Sequence, residues 1–113
     1  MMEPGARDEF LRLLERQRAE YVQALPLKLA ELEHRWGEIA KGAAAPDDFA
    51  CLVRTAHGLA GSGAMFGFAE LGTAAKALEL RLQGLAESPQ GTQDAGAIGD
   101  CIARVRSCAP KAG

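Results

Sequence analysis

The stretch from Arg54 to Gly67, RTAHGLAGSGAMFG, sets one histidine among small, apolar and glycine residues. A neutral imidazole is a nucleophile, and its free pKa of about 6.5 leaves it largely uncharged at neutral pH. On a helical wheel of about 100° per residue, Phe49, Leu52, Val53, Ala56, Leu59, Ala60 and Gly63 form one apolar stripe. His57 falls about 80° to one side of it. Its neighbours at spacings of three or four are Ala50, Arg54 and Gly61. Two of these three have almost no side chain, so the ring is expected to stand clear of its own helix. Gly61 costs about 1 kcal/mol relative to alanine inside a helix. Close approach by another molecule accounts for it, and so does tight helix packing. From the wheel alone, His57 also reads as an ordinary half-exposed polar residue.

The other reactive types carry less. His34, in EHRW, has no glycine neighbour and no matched acid, and reads as an exposed helix residue. No serine pairs with a base. The GSG at Gly61 to Gly63 follows no strand, so it is neither a nucleophile elbow nor a phosphate loop. Cys51, Cys101 and Cys108 are odd in number and form no CxxC pair. They point away from a disulfide framework or a zinc site and read as small buried apolar groups.

The elements that hold His57 follow from composition and period. The chain has 113 residues, 48% apolar and only 5% aromatic. Alanine and leucine dominate, which favours helices over strands. The first helix is expected from Arg7 to Ala24, with Phe10, Leu13, Leu14 and Tyr21 or Val22 on one side. Pro26 interrupts or kinks it. A second runs from Leu27 to Lys41 through Leu29, Leu32, Trp36 and Ile39, and Gly42 stops it. After the connector AAAPDD, Pro46 and Asp47 suit the first turn and cap of a third, which runs to Ala64. GSGAMFG turns the chain into a fourth helix, Phe68 to Ala86, and ESPQGTQ breaks it. The last runs from Gln93 to Cys108 with Ile98, Ile102 and Val105 on its apolar face. Short loops join antiparallel neighbours. The expected fold is all-α: an antiparallel four-helix bundle with an additional or extended N-terminal helix, forming one domain over residues 1–113.

The formal net charge is −2 with both signs interspersed, so no basic footprint for nucleic acid is present. No apolar run approaches the roughly 20 residues of a membrane span, and the first ten residues lack a signal-peptide stretch. A cytoplasmic protein without membrane or nucleic-acid partners is expected.

The residues from Ala56 to Glu79, AHGLAGSGAMFGFAELGTAAKALE, resemble the histidine phosphotransfer (HPt) domain of two-component phosphorelays. The matching positions are Ala56, His57, Leu59, Gly61, Gly67, Leu71 and Leu78. Phe66-Gly67-Phe68 is similar to the turn in the phosphotransfer domain of chemotaxis histidine kinases. The resemblance implies a four-helix bundle whose second bundle helix displays a phosphorylatable histidine, here His57. It departs from the family at Ala60, where a lysine is usual and is thought to steady the phosphoryl group.

The wheel offers a replacement for that lysine. On the fourth expected helix, Leu71, Ala75, Leu78 and Leu82 form the core face, and Lys76 and Glu79 lie about 80–140° to one side. Flanks of the same sign on two antiparallel helices meet on one side of a bundle. His57 stands ten residues before Gly67 and Glu79 twelve after it, at similar height. Glu79 is thus expected to accept a hydrogen bond from one ring nitrogen, the role that the resemblance to chemotaxis kinases also implies. Lys76 offers the missing positive charge. A solvated Lys76–Glu79 pair at i,i+3 is the alternative.

The expected activity is relay of a phosphoryl group between receiver-domain aspartates, or from a sensor histidine kinase, through phosphohistidine. Magnesium would come with the receiver, since no acid cluster here suits it, and no cofactor is expected. Ala50, Arg54, Ala60, Gly61 and Ala64 would form the low docking surface. Met65, Phe66 and Phe68 would add contacts or, for the two phenylalanines, cap the core. A monomer is expected. The alternative is a degenerate receiver-binding module that no longer takes phosphate. A structural dimerisation bundle is a third reading.

Overall fold

The computed structural model describes residues 4–43, 45–87 and 92–111. Four helices follow in order: α1 (Pro4–Ala40), α2 (Asp48–Met65), α3 (Ala69–Glu87) and α4 (Thr92–Cys108). No strand occurs among the described residues. Neighbours in the chain pack on one another, and α1 also meets α4, which closes the ring of a four-helix bundle. Part of the expected break at ESPQGTQ, residues 88–91, lies outside the described residues.

The two helices expected on either side of Pro26 are one. Proline removes an N–H and its bond to the residue four earlier. Tyr21, Leu25, Leu29 and Leu32 nevertheless fall on a single buried seam that continues past the exposed Pro26. Burying leucines on both sides of the proline, at about 1.5–3 kcal/mol each, offsets the missing bond. The extended N-terminal helix is therefore realised and the additional one is not. At 37 residues, α1 outreaches the 18-residue α2, and the molecule measures 58 × 24 × 24 Å. Every residue from Gly5 to Glu20 is exposed, and the apolar side through Phe10, Leu13 and Leu14 meets no other helix.

Two glycines end helices as the sequence suggests. Gly42 has φ +77°, with Gly42 N–H bonded to Ile39 O and Ala43 N–H to Glu38 O. Gly67 has φ +88°, with Gly67 N–H on Ala64 O and Phe68 N–H on Gly63 O. Both are Schellman caps, in which a left-handed residue lets two orphan carbonyls be satisfied. The start of α2 departs from expectation. Asp47 makes no side-chain cap bond. Asp48 instead accepts from Ala45 N–H at 2.8 Å and from Arg35 at 2.7 Å, tying α1 to α2.

The core draws leucines from three helices and Ile98, Ile102 and Val105 from α4. The expected α3 face of Leu71, Ala75, Leu78 and Leu82 is fully buried. Arg106 on α4 pairs with Glu33 on α1 across the rim. The three cysteines are free and half-buried rather than buried. The backbones of α2 and α3 approach closely. A Cβ added to Gly63 would lie 2.9 Å from the Gly72 nitrogen, and one on Gly72 would lie 3.0 Å from Ala60 O. Only glycine lets the two backbones come this near.

Candidate functional site

His57 stands on the flank of α2 with 73% of its side chain exposed. Its Nδ1 lies 2.6 Å from Glu79 Oε2 on α3. The Glu79 side chain is only 5% exposed, and its other oxygen accepts from Lys76 Nζ at 3.1 Å. The structure thus brings together the three side chains placed on facing flanks by the wheel. The depth of Glu79 was not foreseen. The Gly63–Gly72 crossing draws the helices so close that a flank position on α3 becomes covered.

Burial by itself pushes the Glu79 carboxyl up, because it penalises the charged form. Hydrogen bonds from Lys76 and His57, and the charges behind them, outweigh this and hold the carboxyl below its usual range. An ionised carboxylate only accepts hydrogen bonds. Nδ1 of His57 therefore donates its N–H to Glu79, and in the neutral ring the lone pair is on Nε2. The site presents an oriented imidazole, held at Nδ1 and exposed to solvent.

The surface around the ring is low. Ala50, Arg54, Gly61 and Ala64 are exposed, and Ala60 is half-buried against the core. A Cβ on Gly61 would meet nothing within 4 Å. Helix packing is therefore no reason for Gly61, although it is for Gly63. Gly58, beside His57, is also exposed with open space around it. The sequence reading missed it, although a glycine inside a helix, at about 1 kcal/mol, was the signal. Arg54 contacts Cys51 Sγ at 3.5 Å and forms no ion pair among the described residues. Met65 is exposed, whereas Phe66 and Phe68 are half-buried and stack on Tyr21 at 4.7 and 6.1 Å, closing the end of the core. His34 is exposed on α1.

Among the described residues, no group of three or more His, Cys, Asp or Glu side chains is placed to hold a metal ion. No described helix is long and apolar enough to cross a membrane. No curated protein and no solved structure matches the chain. The family model of the Hpt domain matches residues 7–108, which takes in most of α1 and all of α2, α3 and α4. With that span matched, the chain belongs to the Hpt domain family, the histidine phosphotransfer domains of phosphorelays.

Proposed function

We propose that the protein is a phosphocarrier and that Nε2 of His57 is its phosphoryl acceptor. The observation that carries this reading is an exposed imidazole whose Nδ1 is fixed, at 2.6 Å, by a buried carboxylate. The Nε2 lone pair attacks the phosphorus of an aspartyl phosphate on a receiver domain. A P–N bond forms, and the P–O bond breaks with its electron pair leaving on the aspartate carboxylate. The proton on Nδ1 stays in place, and Glu79 stabilises the positive charge that grows on the ring, as the orienting acid does in other histidine sites. A second receiver reverses the step. A sensor histidine kinase can donate in the receiver's place.

In this reading the magnesium belongs to the receiver, and the bundle supplies only nucleophile and docking surface. Ala50, Arg54, Ala60, Gly61 and Ala64 form that surface, low enough for a partner aspartate to reach the ring. His57, Glu79 and Lys76 come from one chain, so a monomer suffices. The three free cysteines accord with the cytoplasm.

Ala60 favours a second reading, a receiver-binding module without transfer, because it puts no charge beside the ring. Incubation with a phosphorylated receiver separates the two. The phosphocarrier takes an acid-labile, base-stable label that His57→Gln abolishes. Label that persists in His57→Gln removes His57 from the mechanism. Complex formation without label selects the binding module.

A further inference from the structure

Lys76 lies where a positive charge was expected, yet its ammonium bonds the carboxylate and not the ring. We infer that Lys76 is a positioning residue that neutralises Glu79, so that the carboxylate orients His57 without charging it. This deepens the proposed function and rests on His57 being the acceptor.

The need for such a group follows from the geometry. A lone carboxylate within hydrogen-bond reach of an imidazole favours the imidazolium. An imidazolium has no lone pair on Nε2 and cannot attack phosphorus. The contact that fixes the tautomer therefore works against nucleophilicity unless its charge is balanced. Here each oxygen of the covered carboxylate has its own partner: Oε2 takes the N–H of His57 and Oε1 takes Lys76. The i,i+3 spacing on α3 holds Lys76 beside Glu79 by helix geometry alone.

No other charged side chain among the described residues bonds this pair. Arg54, one turn before His57 on α2, contacts Cys51 instead. On the α1 side of α2, Arg35 pairs with Asp48 and Glu31, and Lys28 lies over the Tyr21 ring at 5.8 Å. Arg106 of α4 is taken by Glu33. The ammonium reaches the site through the carboxylate that holds Nδ1. With alanine at position 60, α3 supplies the cation that α2 lacks.

The test needs no phosphoryl donor. Nitrogen-15 NMR follows protonation of the His57 ring in the unsubstituted protein, Lys76→Gln and Lys76→Arg, with thermal melts as a folding control. In Lys76→Gln the ring takes up its second proton at a pH higher by about one unit, and Lys76→Arg restores the original midpoint. In a transfer assay, Lys76→Gln is slow on the acid side and recovers at alkaline pH. Ring titration that is the same in Lys76→Gln as in the parent overturns the inference. So does transfer lowered by one common factor at every pH, because the lysine would then act on the phosphoryl group itself. If the titration shifts and no label ever forms on His57, phosphotransfer falls and the action of Lys76 on the pair stands.

Discussion

Gly61 and Gly63 stand two residues apart on α2, and the bundle uses them in opposite ways. Gly63 faces α3, where a single added carbon would collide with the backbone of Gly72. Gly61 faces solvent, where an added carbon would touch nothing. One glycine is needed by the fold and brings Glu79 under cover beside His57. The other leaves the fold slightly weaker and the ring more accessible. The buried face of α2 is thus organised for packing, and its bare face is left open for a visitor.

The same substitution at the two positions should break this symmetry of residue type most visibly. Gly63→Ala should lose about 2 kcal/mol in denaturant unfolding, since backbone atoms must move to admit the methyl group. Parent-like stability would show that the helices do not cross so closely. The next largest effect belongs to the group that the crossing positions. Glu79→Ala should slow phosphotransfer on the order of tenfold, about 1.4 kcal/mol of barrier, while receiver binding persists. An unchanged rate would remove Glu79 from the mechanism.

Gly61→Ala should do the reverse of Gly63→Ala and stabilise the protein by up to about 1 kcal/mol, through helix propensity alone. Its penalty should appear instead in receiver affinity, measured by titration with His57→Gln as background. Destabilisation would mean that the bare face is packed after all.

The smallest effect is a pH dependence. The contacts with Lys76 and His57 hold the Glu79 carboxyl below the ordinary glutamate range in the folded chain. The unfolded chain therefore binds this proton at higher pH than the folded one, and stability from Glu79 is present above the ordinary glutamate pKa of about 4.3. It is lost as the pH falls through the folded value. The stability difference between the parent and Glu79→Gln should shrink on acidification in that range. A difference that stays constant with pH would contradict the charged contact.

Much of this was legible because helices repeat. The 3.6-residue period put His57 and Glu79 on matching flanks, and equal distances from Gly67 put them at one height. Gly42 and Gly67 announced their caps because a positive φ suits glycine. What the wheel could not give was depth. Glu79 is covered because Gly63 and Gly72 flank the α2–α3 turn and let the backbones meet. On the wheel Gly63 is one more position of the apolar stripe, and nothing local marks Gly72 as its partner. At Pro26 the local rule predicts an interruption or a kink, but the leucine seam buried on both sides keeps α1 one helix. Asp47 suits a cap by local sequence, whereas the pairing of Asp48 with Arg35 is tertiary and has no local trace. The overhang of α1 was invisible, since its amphipathic pattern looks the same with or without a partner.

The central claim is that Glu79 holds Nδ1 of His57 and leaves Nε2 to form the bond to phosphorus. Heteronuclear NMR of the protein after labelling by a phosphorylated receiver tests it directly, because the two ring nitrogens give distinct phosphorus couplings. The account predicts one phosphohistidine, at His57, bonded through Nε2 with the proton still on Nδ1. A phosphoryl group on Nδ1, or on any residue other than His57, would contradict it.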